Sequence, residues 1–367
     1  MLDEYFAILN GERPARHWVA SRVEISVPSG APGIVPPVPA GTATPGTVPS
    51  GAPGPEALEG MSDEGLWGLH DEAMERFRLA WREGKEPPPP SGTSLLELKA
   101  LLARRMLAAC RMCERRCGVD RTRGERGYCG VGDVSRVASV FLHFGEEPEL
   151  VPSHTIFFAG CTFRCAYCQN WDIAMDARGG SPADPLLLAA GLREGMRQGS
   201  RNANFVGGNP DPNLHTILDT IIALGEDGRG LPMIWNSNMY TSLEAMRLLE
   251  GVMDVYLADF RYGNDDCASR YSDVEDYFRV VSRNFLLARE NGEVMLRQLL
   301  LPGHLHCCTA RIMEWVAENM PGVYFNLMFQ YRPEYRAALF PEIDRRPSGE
   351  EKRGAMEIAA RLGIALS

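Results

Sequence analysis

Several features are missing from this sequence, and each absence narrows what it can be. No run of about 18 uninterrupted apolar residues occurs, so no membrane-spanning helix is expected. Met1 to Trp18 is interrupted by Asp3, Glu4, Glu12 and arginines and lacks the apolar core of a secretory leader. No phosphate-binding loop, dinucleotide fingerprint or Ser-His-Asp arrangement is apparent, which removes the common nucleotide-dependent and serine-hydrolase readings. Positive charge is in deficit, with 38 Lys and Arg against 48 Asp and Glu for a net charge of −10. Such a surface does not bind nucleic acid over its whole extent. The expectation is a cytoplasmic protein with no membrane and no nucleic-acid partner. In that reducing setting its ten cysteines are not read as disulfides, and seven of them fall in two tight groups, the pattern of metal ligands.

What is present is an ordinary globular composition, 45% apolar over 367 residues, enough for a large core. Residues 28–55 hold nine Pro and six Gly and no charge. They read as a disordered linker, extended here to 28–60, after an N-terminal segment at 1–27. A helical segment is expected at 61–109. Ser62 can cap a helix whose stripe is Leu66, Leu69, Ala73, Phe77 and Trp81. Ser94 and Glu97 have the spacing of a capping box for a second helix. A four-cysteine module follows at 110–149. From 150 to 367 apolar runs at 155–159, 203–206, 232–236, 254–260, 293–301 and 323–329 alternate with helical patterns. Six strand–helix units imply an α/β fold with parallel strands, either an open partial barrel or a doubly wound sheet, with its chemistry at the C-terminal strand ends.

The strongest motif is Gly160-Cys161-Thr162-Phe163-Arg164-Cys165-Ala166-Tyr167-Cys168-Gln169-Asn170-Trp171, with the spacing C-x3-C-x2-C, directly after the first strand of this alternation. Three thiolates on one loop can ligate three corners of an iron–sulfur cube, whereas electron-transfer clusters use four cysteines. Three protein ligands leave one metal position open, the logic of a catalytic metal site. The motif resembles the radical SAM superfamily, whose members carry a C-x3-C-x-aromatic-C loop; Tyr167 fills the aromatic position. The resemblance implies a partial (β/α)6 barrel, a [4Fe–4S] cluster on Cys161, Cys165 and Cys168, and S-adenosyl-L-methionine (AdoMet) on the open iron. It also implies reductive cleavage to a 5′-deoxyadenosyl radical that abstracts hydrogen from a substrate, with a reducing ferredoxin or flavodoxin as electron donor.

Other strand ends extend the resemblance. Gly207-Gly208-Asn209 is similar to the superfamily segment Gly-Gly-Glu that meets the AdoMet amino end, with Asn209 in place of Glu. Trp235-Asn236-Ser237-Asn238, Leu257-Ala258-Asp259-Phe260-Arg261 and Arg297 with Pro302-Gly303 are similar to strand ends of the glycyl-radical activating enzymes, such as the pyruvate formate-lyase activating enzyme. The resemblance implies that Arg261 meets the AdoMet carboxylate and that Asn236, Asn238 and Asp259 lie near the same end. It makes Arg297 a catalytic candidate toward cofactor or substrate. Asn326, Gln330 and Tyr331 are further candidates. Uncharacterised relatives of the activating enzymes are closer still. They share an N-terminal cysteine group, Leu-His-Phe-Gly-Glu-Glu-Pro (142–148 here) and a Tyr-Arg-Pro stretch (331–333 here).

The second cysteine group is Cys110, Cys113, Cys117 and Cys129, spaced C-x2-C-x3-C-x11-C. Four soft ligands suit either zinc or an auxiliary [4Fe–4S] cluster. Eight arginines between 104 and 126 face only Glu114, Asp120 and Glu125, a solvated face or a patch for an acidic partner. Cys267, and Cys307 and Cys308 after His304 and His306, fall on loops expected at the barrel mouth, where a thiol can give a hydrogen atom to a substrate radical. Three readings of function stand at this point: a radical enzyme acting on a glycyl-radical-type protein partner, one acting on a small molecule or peptide, and a zinc-binding interaction protein.

Overall fold

The computed structural model describes residues 2–26 and 58–367. The linker expected at 28–60 lies outside them up to residue 57. Eight strands form one sheet: β1 (Arg136–His143), β2 (Ser153–Phe158), β3 (Ser181–Pro182), β4 (Asn202–Gly207), β5 (Met233–Ser237), β6 (Val255–Asp259), β7 (Glu293–Leu299) and β8 (Tyr324–Met328). Their order is β3-β1-β2-β4-β5-β6-β7-β8. β2 and β4 to β8 are parallel neighbours. A helix follows each of them, from Pro185–Arg197 to Gly349–Arg361. The fold is α/β, an open partial (β/α)6 barrel. Its strands bury both faces, so Phe205, Ile234, Trp235, Val255, Tyr256 and Leu257 are all inaccessible, as the near-continuous apolar runs require.

β1 differs from expectation. Residues 136–143 fall within the span assigned to the four-cysteine module, yet they pair antiparallel with β2. The boundary at 149/150 therefore cuts through a hydrogen-bonded strand pair. The reason is physical: without β1, the β2 edge would present unpaired backbone groups beside the site. The chain then crosses toward the opposite edge of the parallel array. Asn326 Nδ2 on β8 donates to Glu147 Oε1 at 2.9 Å, and the Tyr324 hydroxyl donates to Glu149 Oε2 at 3.0 Å.

The N-terminal segment is part of the same body. Helix Asp3–Leu9 has its first turn against Glu293, whose carboxylate accepts the N–H groups of Glu4 and Tyr5 at 3.2 and 2.8 Å. Leu2, Tyr5 and Ile8 pack with Leu150, Ile234, Val255, Leu257, Met295 and Tyr324. The Tyr5 hydroxyl accepts from Asn202 Nδ2 at 3.0 Å. These contacts close the N-terminal end of the barrel.

Helices Asp63–Glu83 and Leu95–Arg105 form an outer layer over Leu214–Leu224 and Leu243–Leu249. Both start on their caps: Gly65 N–H donates to Ser62 Oγ at 3.2 Å, and Ser94 with Glu97 makes the full capping box. Lys99, wholly buried, donates to His70 Nε2 and to the Arg247 carbonyl, each at 2.9 Å, which ties the layer to the barrel.

Candidate active site and metal centres

The cluster loop leaves β2 through Gly160, whose φ is +85°. A Cβ there would sit 2.6 Å from Val131 and 2.9 Å from the Cys129 carbonyl, so only glycine fits. Cys161 and Cys165 are buried and Cys168 is half-buried. Backbone donors anchor the loop: Arg164 N–H to the Ser272 carbonyl at 3.0 Å and Ala166 N–H to the Tyr271 carbonyl at 2.7 Å. The sulfurs have donors of their own. Phe163 N–H reaches Cys161 Sγ at 3.4 Å, and the Ser272 hydroxyl reaches Cys165 Sγ at 2.9 Å. Burial, and next the neighbouring Cys165, pushes the Cys161 thiol far up and the Cys168 thiol up to about 12. Buried sulfurs with donors of their own suit a metal centre that compensates thiolate charge. Three cysteines on one loop fit a [4Fe–4S] cluster with an open iron.

The Gly207-Gly208 pair lies against this loop. A Cβ on Gly208 would sit 2.1 Å from the Gly160 carbonyl, and Asn209 N–H donates to that carbonyl at 3.0 Å. The Asn209 side chain is committed to Asp211, to Thr162 and to the Asn238 N–H. Asn238 Nδ2 donates to Thr162 Oγ1 at 2.9 Å. Asn209 and Asn238 thus hold the loop through Thr162. Tyr167 is buried; its hydroxyl donates to Tyr262 at 2.8 Å, and its ring packs edge-on against Tyr331. Gln330 is exposed.

Asn236, Asp259 and Arg297 meet inside the barrel. Arg297 donates from Nε to Asp259 Oδ1 at 2.9 Å, from Nη2 to Asn236 Oδ1 at 2.6 Å and from Nη1 to Glu146 Oε2 at 3.3 Å. Arg261 Nη2 donates to Asp259 Oδ2 at 2.6 Å, leaving its Nε buried without a partner. Glu146 and Glu147 were not singled out from sequence as site residues. Both enter the interior from the connection after β1: Asn204 Nδ2 donates to Glu146 at 3.2 Å, and Glu147 keeps one carboxylate oxygen buried and unpartnered. Burial pushes the Glu146 carboxyl up against the pull of Arg297. The available signal was the pair of acids after a strand in Leu-His-Phe-Gly-Glu-Glu-Pro. The result is a polar layer with spare donors and acceptors, able to hold a zwitterionic ligand.

Cys110, Cys113, Cys117 and Cys129 line one pocket beside Arg121 and Gly127. Tyr128 N–H donates to Cys117 Sγ at 3.5 Å, and Arg121 Nη1 approaches Cys110 Sγ at 3.9 Å. A Cβ on Gly127 would lie 2.7 Å from Cys117 Sγ. The module abuts the cluster loop: Arg115 Nε donates to the Thr162 carbonyl at 3.0 Å, and Arg164 Nη2 donates to the Tyr128 carbonyl. The basic stretch is largely engaged within the chain. Arg105 and Arg111 reach Asp63, Arg116 reaches Glu114 and Glu244, and Arg104 reaches Asp219.

Cys267, Cys307 and Cys308 come together although 40 positions separate the first two. Their sulfurs lie within 4.8 Å of one another. Arg297 stands apart from them in the interior network.

An open (β/α)6 barrel with a three-cysteine loop at the end of its first parallel strand defines a class of cluster-dependent enzyme. The family model for the radical SAM superfamily matches residues 155–316. The uncharacterized protein MJ0674 of Methanocaldococcus jannaschii is 41% identical over 322 residues, covering 85% of this chain and 91% of that protein. A second protein of that organism, MJ0808, is 24% identical over 159 residues, 38% of this chain and 46% of its own length. Among solved structures, a radical SAM methyltransferase from Sphaerobacter thermophilus is 13% identical with a TM-score of 0.42, covering 82% of this chain and 92% of that one. Streptococcus suis SuiB bound to S-adenosylmethionine is 12% identical with a TM-score of 0.41, covering 56% and 48%. Residues 155–316 are a radical SAM superfamily domain, which supports radical chemistry dependent on AdoMet; that family implies AdoMet and a [4Fe–4S] cluster. No helix among the described residues is long and apolar enough to cross a membrane.

Proposed function

We propose that this chain binds AdoMet between the cluster loop and the interior polar layer, and uses it to abstract a hydrogen atom from a substrate held at the barrel mouth. Cys161, Cys165 and Cys168 would hold the [4Fe–4S] cluster, which would supply the electron for cleavage of AdoMet to methionine and a 5′-deoxyadenosyl radical. The observation carrying this reading is a buried network with unspent hydrogen-bonding capacity whose Arg261 lies within electrostatic reach of Cys161, Cys165 and Cys168. Arg261, permanently charged and with Nε free, takes the AdoMet carboxylate. Glu147, with an unpartnered oxygen, takes its amino group. Arg297 positions Asp259 and Asn236, and the ring of Tyr167 walls the pocket. A reducing ferredoxin or flavodoxin supplies the electron.

A glycyl-radical-type protein is the favoured substrate class within this reading. Trp171, 44% exposed and three residues beyond Cys168, stacks on Tyr335 at 5.4 Å, a platform for a polypeptide at the mouth. A small molecule or another peptide is the alternative. For the four-cysteine module we favour an auxiliary [4Fe–4S] cluster over zinc. Tetrahedral zinc draws thiolates to about 3.8 Å of one another, given Zn–S bonds near 2.3 Å. No three of these sulfurs lie within 4.8 Å, and contact with the cluster loop suits an electron relay. The test is anaerobic reconstitution followed by reduction in the presence of AdoMet. Appearance of 5′-deoxyadenosine supports the reading, and its absence from fully iron-loaded protein overturns it. Adding peptide or small-molecule candidates then separates the substrate classes by which one accelerates that release.

A further inference from the structure

We propose that Cys267, Cys307 and Cys308 form a third metal centre, a three-thiolate site for one thiophilic divalent cation of the zinc class. Among the described residues it is the group whose ligand atoms all fall within 4.8 Å of one another. That separation is close to what one tetrahedral ion with Zn–S bonds near 2.3 Å imposes, about 3.8 Å between sulfurs, and is too tight for the corners of a cube.

The local backbone builds the site. Cys267 lies in the first turn of helix Asp265–Ser272. Cys307 and Cys308 lie in a wide turn, Leu305–Ala310, that precedes helix Arg311–Asn319. Consecutive residues of an ordinary helix diverge by about 100°. The wide turn, in which both Cys308 N–H and Thr309 N–H donate to the His304 carbonyl, brings two consecutive sulfurs to one place.

One side chain binds all three cysteines. Asn264 Oδ1 accepts the Cys267 N–H at 2.8 Å, while its Nδ2 donates to the Cys307 carbonyl at 2.8 Å and approaches Cys308 Sγ at 3.7 Å. A donor beside a sulfur and a clamp on the ligand backbones are what outer partners of a metal centre provide. Gly263 lets the two loops meet, since a Cβ there would lie 2.7 and 2.8 Å from the Cys308 and Cys307 carbonyls. His304 borders the group. Its Nδ1 donates to the Pro302 carbonyl at 2.8 Å, and its Nε2 lies 3.1 Å from the hydroxyl of Tyr271, which itself donates to Glu342 at 2.7 Å.

The centre is distinct from the two cysteine motifs, and it joins the loops after β6 and β7. Helix Asp265–Ser272 runs from Cys267 to Ser272, which holds Cys165 of the cluster loop. The five-position step from Cys267 to Ser272 spans about 7.5 Å of helix rise. A cation at its start would stiffen a buttress of the catalytic loop.

The test is metal analysis of the full chain, purified anaerobically from zinc-supplemented culture, beside the variant Cys267→Ser/Cys307→Ser/Cys308→Ser. The expected result is loss of about one zinc equivalent per chain with iron unchanged. Equal zinc in the two proteins overturns the proposal. Should the variant fail to fold, cysteine labelling of the wild-type chain decides. Peptides carrying Cys267, Cys307 and Cys308 should be protected in the presence of zinc and labelled after chelation. Labelling indifferent to zinc, or recovery of these peptides joined by a disulfide, overturns it equally.

Discussion

The two ends of the barrel are built from the same strands and serve opposite purposes. Along β5 to β8 the interior positions alternate by two, so Ile234 precedes Asn236, Leu257 precedes Asp259, Met295 precedes Arg297 and Tyr324 precedes Asn326. The N-terminal halves are apolar and are sealed by Leu2, Tyr5 and Ile8. The C-terminal halves are polar and paired with one another and with Glu146 and Glu147. One step along each strand separates the part that holds the barrel together from the part that can bind a charged ligand.

The sharpest way to break that contrast is at the top. Changing Cys161, Cys165 and Cys168 together to Ala should reduce 5′-deoxyadenosine formation to background while the far-ultraviolet circular dichroism stays that of the wild type. Retained AdoMet cleavage would remove these cysteines from the chemistry. Arg297→Gln should follow in size. It leaves Glu146 buried beside a group that cannot balance it and Asp259 with Arg261 alone, at a cost of about 3 kcal/mol. A urea midpoint unchanged from wild type would show that the network is slack.

At the bottom, Tyr5→Ala empties the seal and should lower stability by about 3 kcal/mol. Turnover per folded molecule should hold, because the site lies at the other end. A variant of normal stability but impaired cleavage would dissolve the division between the ends. The smallest effect concerns the outer layer. Burial pushes Lys99 down to about 7. The unfolded chain then binds more protons than the folded one between about pH 7 and 10, so stability rises with pH across that window. Lys99→Met should flatten the rise, measured as urea midpoints at the two ends of the window. An unaltered slope would assign it to other groups.

Much of this was legible from residue order because the signals are local. The C-x3-C-x2-C loop, the Ser94–Glu97 capping box and the six strand–helix units each arise within a dozen or so neighbouring residues. β1 and the N-terminal plug were not legible. β1 follows the cysteine group in a stretch that itself holds no cysteine, and it is defined by its pairing with β2 and β3. The helix Asp3–Leu9 is short, and its first N–H groups are satisfied by Glu293, far along the chain. Nor did charge patterning reveal that four of the eight arginines of 104–126 find carboxylates on other helices.

The amino-acid sequence by itself determined the class: three thiols on one short loop after a strand, within an alternating α/β chain, specify cluster chemistry because ligands adjacent in sequence must be adjacent in space. Tertiary structure alone decided which distant groups meet. It inserts Glu146 and Glu147 beside Arg297, and it brings Cys267 to Cys307 and Cys308 across 40 positions. Such meetings depend on how parallel strands order their loops around the barrel, a property of the packed whole that no local window contains.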